Sequence, residues 1–310
     1  HKPNKRNRIN CLSNYLLSVA LSSRIEAASS CFKGLKNLKE ITFEGSRINL
    51  EDSSFADTKI DTLKCNSDSA TYYFKEYSFT NSNIKNIIIS ASKATFYKSS
   101  FSGAIVNSFI GNLGSTIDFQ ESSYINSQIS AMTIIAPESN FQKSSFSPAT
   151  IEKLEITSVT EINFLDSSFY NADVSSLTVS SPTTIFQTNS FSLCTLPILK
   201  CTSANISFYT NSFNGIKGSQ EFILTNPTSV IFNEKSFLNS EIPKLEISEA
   251  TNIHFYKYAF QNSKKLTKVS LQSQGNITIG YGSFKDCTNL SNVDINSSNL
   301  SVLRFVSCSL

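Results

Sequence analysis

Surface chemistry needs nucleophiles, acids, bases or metal ligands gathered at short range, and this chain is thinly supplied with them. It has two histidines, His1 and His254, and seven cysteines, Cys11, Cys31, Cys65, Cys194, Cys201, Cys287 and Cys308. His254 stands in an alternating stretch, Asn252-Ile253-His254-Phe255, with no Cys or Ser nucleophile motif in register, and reads as an exposed strand residue. His1 is terminal. No CxxC pair exists, and an odd count without paired short spacing is a poor disulfide framework. The cysteines therefore read as small, partly buried apolar side chains. Acidic residues such as Glu51, Asp52 and Glu121 fall among turn residues, and no Cys, His, Asp or Glu cluster recurs at close range. No catalytic residue, cofactor or metal site is expected.

The composition excludes further classes. Charged residues are only 16 % and the net charge is +3, too weak a field to argue for nucleic acid or an anionic membrane surface. No apolar run approaches the roughly 18 residues of a transmembrane helix. Trp is absent, yet there are 24 phenylalanines. Such a bias needs a recurring cause.

The cause is a repeat. A Phe or its equivalent stands at Phe32, Phe55, Phe79, Phe101, Tyr124, Phe146, Phe169, Phe191, Phe213, Phe237, Phe260 and Phe284, with Leu310 a thirteenth, at steps of about 23 residues. Five residues earlier sits a second large apolar group: Leu50, Phe74, Phe96, Phe119, Phe141, Phe164, Phe186, Phe208, Phe232, Phe255, Ile279 and Phe305. An apolar residue often lies two further back, as in Ile117, Ile162 and Ile206, which is the alternation of a strand with one buried face. After the anchor comes a triplet spaced Leu-x-x-Leu-x-Ile, as in Ile84/Ile87/Ile89, Ile151/Leu154/Ile156 and Leu290/Val293/Ile295; Leu16/Val19/Leu21 fits it ahead of the first anchor. The residue before the anchor is nearly always Ser. Two residues after it stand Gly34, Asp57, Asn81, Gly103, Asn126, Asn171, Gly215, Asn239, Asn262 and Asp286, the types that tolerate left-handed backbone, so a tight turn recurs there.

Two short strands and their turns cannot bury these Phe faces within one unit. Stacked units can, with successive strands paired in parallel. The expected fold is mainly β: a solenoid of about 23-residue repeats and about 13 turns, running uninterrupted over residues 10–310 behind a basic extension, residues 1–9. The opening HKPNKRNRINCLSNYLLSVALSS has the basic start and short apolar middle of a signal peptide, but Asn14 interrupts that middle and the repeat claims Leu16, Val19 and Leu21. The chain reads as a fragment of a longer protein.

The unit Ala/Ser-Phe-x-x-Cys/Ser-x-x-Leu-x-x-Ile/Val-x-Ile/Leu resembles the BspA-like, or Treponema-type, leucine-rich repeat. Phe284, Cys287, Leu290, Val293 and Ile295 match every element; Phe260, Ser263, Leu266, Val269 and Leu271 match all but the Cys; Phe32, Leu35, Leu38, Ile41 and Phe43 match with Leu at that place. The middle copies mostly carry one residue fewer between anchor and Leu. The resemblance implies a right-handed solenoid with its Leu-x-x-Ile-x-Ile strands on the concave face. It also implies a non-enzymatic adhesion or surface-antigen role, at the cell surface or outside the cell, binding host or neighbouring-cell proteins or glycans. An intracellular, cytoplasmic protein-interaction scaffold is the alternative. An enzyme on a parallel β-helix, acting on polysaccharide, is a lesser one, because the required clusters of Asp, Lys or Arg across consecutive turns are missing.

In a leucine-rich solenoid the outward residues of the main sheet bind the partner. That column reads Thr42, Lys64, Ile88, Ile110, Thr133, Glu155, Thr178, Lys200, Ile223, Glu246, Ser270 and Asp294. Ile88 and Ile110 form an apolar centre with Lys64, Thr133 and Glu155 as its polar rim, the expected contact for a protein or glycan ligand. Tyr73, Tyr97, Tyr209 and Tyr256 are expected to look outward on the opposite face. Sequons occur at Asn205, Asn276, Asn289, Asn296 and Asn299, as chance allows in a chain so rich in Asn, Ser and Thr.

Overall fold

A computed structural model of the chain describes the backbone of residues 7–9, 18–21 and 25–302 and the side chains of residues 26–301. His1, Cys11, Leu16, Phe305, Cys308 and the thirteenth anchor, Leu310, lie outside the described residues. The chain forms two compact units, His1–Ile151 and Glu152–Leu310, and among the described residues both are built of strands and turns without a helix.

In each unit the apolar alternation becomes parallel pairing in register, one turn of chain above the next. In the first, Leu63 pairs with Ile87, Ile87 with Phe109 and Phe109 with Met132, while Phe74, Phe96, Phe119 and Phe141 align in the same way. In the second, Leu154, Leu177, Leu199 and Phe222 align, as do Phe164, Phe186, Phe208, Phe232 and Phe255. The pairing reaches residues assigned above to the basic extension, since Asn7–Ile9 pairs with Ile25–Ala27.

The repeat was expected to hold two short strands, but several turns hold one long strand instead. Lys59–Phe74, Asn83–Phe96 and Ile105–Phe119 run through both apolar segments, with register shifts between Ser67 and Thr71 and between Ala91 and Lys93. Asn66 and Ser67 pair with Ser90 and Ala91, which pair in turn with Asn112 and Leu113, and the residues that follow bridge the register shift within the strand. The strand breaks at Pro137, between Gln128–Ile135 and Glu138–Phe141, and at Pro227, between Glu221–Leu224 and Ser229–Phe232, where a backbone donor is missing, whereas Pro182 is accommodated inside the unbroken strand Ser176–Phe186.

The rings fill the interior as two columns. In the first unit the anchors Phe32, Phe55, Phe79, Phe101, Tyr124 and Phe146 stack at 4.5, 4.9, 4.8, 4.7 and 4.8 Å between centroids. In the second, Phe169, Phe191, Phe213, Phe237, Phe260 and Phe284 stack at 4.8, 5.2, 5.0, 4.6 and 5.6 Å. The strand column runs beside them and meets them edge-on, as Phe119 meets Phe146 at 69° and Phe186 meets Phe213 at 80°. Both geometries suit the ring quadrupole, each pair adding about 0.5–1.5 kcal/mol beyond burial.

The turn around each anchor accounts for its own backbone donors. The N–H groups of Ser53, Phe55 and Asp57 donate to the next turn, to the carbonyls of Glu76, Ser78 and Thr80 at 3.3, 2.7 and 2.9 Å. Those of Ser54 and Ala56 donate back three residues, to Glu51 and Ser53, both at 3.1 Å. Each of these five donors is thus satisfied. The expected left-handed column two residues after the anchor is present, from Gly34 (φ 79°) and Asp57 (φ 57°) to Asp286 (φ 60°), and Leu193 (φ 59°) joins it.

A second left-handed column, two residues before the anchor, escaped the sequence reading. It holds Ser30, Ser53, Tyr77, Ser99, Ser122, Ser144, Ser167, Asn189, Asn211, Lys235, Tyr258 and Gly282. Side chains other than Gly, Asn and Asp pay about 1–2 kcal/mol for that conformation. Lys235→Gly is therefore expected to raise stability by about 0.5–1 kcal/mol, the relief less the extra freedom glycine gives the unfolded chain. A rise in the urea midpoint at unchanged slope checks this; a fall contradicts it.

The serine before each anchor faces inward. Ser54, Ser78, Ser100, Ser123, Ser145, Ser168, Ser190, Ser212 and Ser236 are wholly buried, and their hydroxyls find no hydrogen-bond partner among the described residues. Ser283 differs, donating its Oγ to the Gly280 carbonyl at 2.7 Å, and Ala259 fills the same place with no hydroxyl. The column thus selects for small volume. Tyr124 carries the same lesson in the anchor column, because its buried hydroxyl also lacks a partner among the described residues. Burial alone pushes its pKa well above the ordinary phenol value. Tyr124→Phe is expected to stabilise the chain by about 1 kcal/mol, since an unpaired buried hydroxyl costs more than it returns. Denaturant unfolding reads the sign; a loss of stability would mean that the hydroxyl is bonded in solution.

Candidate recognition surface

The strands of the first unit alternate one residue in, one residue out, and their parallel register turns this into rows. One outward row is Thr42, Lys64, Ile88, Ile110 and Thr133, each paired with the next. Ile88 is 38 % exposed and Ile110 45 %, unusual values for isoleucines directly opposite each other. Ile135, 49 % exposed, follows two residues after Thr133 and pairs with Asn112, so it extends the apolar ridge on the same face. Only the doublet Ile134-Ile135 at a strand end signalled it, and the column of triplet residues passed it by.

Around the ridge the surface is polar and charge-paired. Lys64 Nζ lies 3.2 Å from Glu40 Oε2, and Thr42 Oγ1 donates to Glu40 Oε1 at 3.1 Å. The hydrogen bond from Lys64, then that from Thr42, holds the Glu40 carboxyl below its ordinary pKa. Lys39 does the same to Asp61 across 3.0 Å. These exposed pairs add little stability; they fix side-chain positions along the border. Beyond the ridge, Ser90 donates to Asp68 at 2.7 Å beside a cavity of about 200 Å³ lined by Asp68, Ser90, Asn112 and Gly114.

Glu155 belongs to the second unit. Its row there is Glu155, Thr178, Lys200 and Ile223, with Lys153 Nζ 2.8 Å from Glu155 and Lys200 paired to Glu221 at 3.2 Å. Lys64, Ile88, Ile110 and Thr133 are thus brought together in the first unit, and Glu155 stands in the row of the second.

The tyrosines expected on the other face are partly occupied. Lys75 Nζ sits 4.1 Å above the Tyr97 ring, Arg47 lies 5.0 Å from Tyr73, and the two rings are 6.3 Å apart. This is a cation–π ladder internal to the unit. Tyr209 and Tyr256 remain 40 % and 47 % exposed.

Groups suited to catalysis are unprepared for it. Cys31, Cys65, Cys194, Cys201 and Cys287 are buried, and burial raises the pKa of the free thiols Cys65, Cys194 and Cys201, the last to about 12. A thiol so held is neither a nucleophile nor a metal ligand near neutral pH. His254 is half-buried against Tyr256, ring centroids 4.2 Å apart, and burial lowers its pKa. Among the described residues no group of His, Cys, Asp and Glu is arranged to hold a metal ion.

Comparison with curated proteins and with solved structures finds no match. Comparison with protein families finds one: the family described as BspA type Leucine rich repeat region matches in 6 copies, over residues 11–129, 73–197 and 194–310. Leucine-rich repeats of this kind are generally non-catalytic interaction modules. The family match spans nearly the whole chain and agrees with the stacked anchors, the in-register strands and the recurring turn: the chain belongs to the BspA-type leucine-rich repeat family.

Proposed function

We propose that this chain is a non-enzymatic recognition module of a cell-surface protein, binding a host or neighbouring-cell protein or glycan through the sheet face that carries Ile88 and Ile110. The observation that carries the reading is the exposed row Lys64, Ile88, Ile110 and Thr133, extended by Ile135. An apolar strip with a charge-paired border is the anatomy of a contact surface, desolvated at its centre and polar at its edge. The strip sits on paired strands, so its geometry is set before any partner arrives and little entropy is lost on docking.

The test is binding of the labelled chain to arrayed matrix proteins, arrayed glycans and intact cells. Ile88→Asp with Ile110→Asp should lower binding about tenfold or more, a loss typical of a central contact, while the circular dichroism spectrum and melting curve stay those of the parent. Binding unchanged by the double substitution removes this strip from the account. The free thiols Cys65, Cys194 and Cys201 favour a second reading, an intracellular scaffold using the same surface. Protease shaving of intact cells expressing the full-length protein separates the two: digestion places it outside, protection inside.

A further inference from the structure

Four residues before each anchor the chain presents a side chain at the junction of strand and turn. In the second unit this column reads Leu165, Gln187, Tyr209, Asn233, Tyr256 and Gly280. The last breaks the series. A Cβ at Gly280 would lie 2.7 Å from the Phe255 carbonyl oxygen and 2.9 Å from the Tyr256 carbonyl carbon, so the backbone approaches too closely for any other residue. With no side chain at that place, the surface beside the Tyr256 ring stays open.

The gap is a cleft of about 420 Å³ lined by Glu234, His254, Tyr256, Lys257, Gly280 and Tyr281, a size within the roughly 300–1,000 Å³ of small-molecule sites. Its floor is aromatic: Tyr256 and Tyr281 are 47 % and 41 % exposed, and His254 packs 4.2 Å from Tyr256. Its rim is ionic, with Glu234 Oε1 3.6 Å from Lys257 Nζ and 3.8 Å from Lys235 Nζ.

The mixture narrows the ligand. Two ammonium groups beside the carboxylate disfavour an organic cation in the aromatic cleft, and the carboxylate between them disfavours an anion. Inside that rim the lining is almost wholly apolar, so the ligand must present an apolar face to Tyr256 and Tyr281. A ring with one apolar face and a periphery of hydroxyls suits both parts, its face on Tyr256 and its hydroxyls toward the Glu234 and Lys257 heads at the rim. We propose that this cleft is a subsite for a neutral hexopyranose. It is separate from the Ile88/Ile110 strip and does not rest on it.

The test is titration of the full-length chain, labelled with nitrogen-15, with glucose, galactose, mannose and N-acetylglucosamine, followed by amide shifts and saturation transfer. At least one sugar should bind with a Kd on the order of 1 mM and move the amides of Gly280 and Thr278. Tyr256→Ala should weaken it about tenfold or more, Tyr256→Phe should keep it, and neither Tyr209→Ala nor the Ile88→Asp/Ile110→Asp pair should change it. Absence of binding by all four sugars at tens of millimolar, or binding that survives Tyr256→Ala, overturns the proposal. If Tyr256→Ala does not fold, the shift map of the parent decides: changes centred on Gly280 and Thr278 support the cleft, and changes elsewhere overturn it.

Discussion

Truncating Phe213 to alanine is expected to cost the chain about 3–5 kcal/mol, the range for a large aromatic lost from a core that cannot close around the hole. The ring is wholly buried and stacks on Phe191 at 5.2 Å and on Phe237 at 5.0 Å, while Phe186 and Phe208 meet it edge-on at 5.0 and 5.2 Å. Collapse is blocked because the turn spacing is fixed by the backbone bonds Phe191 N–H to Ser212 and Phe213 N–H to Ser236, each 2.7 Å. The stack is nearly one-dimensional, so the loss is shared with the turns on either side and not with distant ones. A double-mutant cycle with Phe237→Ala should show a coupling of about 0.5–1.5 kcal/mol, and one with Phe169→Ala close to none. Independent costs at Phe213 and Phe237 would mean the rings do not support one another.

Alkali should unfold the chain steeply. Burial raises the thiol pKa of Cys65, Cys194 and Cys201 above the ordinary 9.0, to about 12 for Cys201. The sign follows from proton counting. Below about pH 9 both folded and unfolded thiols are protonated and this contribution is fully present. Above it the unfolded chain releases protons that the folded chain keeps, so stability falls as pH rises toward the folded values. Each thiol removes ~1.4 kcal/mol per pH unit, and three remove ~4. The slope builds up to that value as the unfolded thiols ionise, so between about pH 9 and 11 the loss is ~7 kcal/mol, comparable with the total stability of an ordinary domain. Buried Tyr72 and Tyr124, whose pKa values burial also raises, steepen the fall above pH 10. Urea unfolding at pH 8, 9, 10 and 11 measures the slope. Cys201→Ala should reduce the thiol part of it by about a third, whatever it does to stability at pH 8. A flat profile to pH 11 contradicts this burial.

Much of this was legible in the sequence, for a physical reason. A stacked fold asks the same residue type of the same position in every turn, so the anchor Phe, the strand Phe, the triplet and the Gly/Asn/Asp column after the anchor all announce themselves by period. The left-handed column before the anchor did not, because Ser53, Tyr77 and Lys235 share no chemistry. What they share is a place in the inter-turn hydrogen-bond pattern, and the stacked anchors hold it against their own preferences. Strand continuity was missed for a similar reason: the polar stretch from Asn66 to Ala70 has no apolar period, yet it stays within the strand Lys59–Phe74. At the candidate site, alternation placed Ile88 and Ile110 outward, but Ile135 escaped because it falls beyond the triplet. The cleft at Gly280 was invisible, since its cause is a side chain that one turn lacks.

The most direct test of the stacked turns is amide hydrogen exchange in the loops themselves. The anchor amides lie in irregular turns, where exchange is normally fast. Here Phe55, Phe79 and Phe101 donate to Ser78, Ser100 and Ser123 of the following turn at 2.7, 2.7 and 2.8 Å, with a wholly buried ring on each. The account predicts that these amides, with Phe169, Phe191 and Phe213 in the second unit, exchange only through global opening, as slowly as the central strand amides. Exchange at the rate of solvated loops, while the strands stay protected, would contradict it.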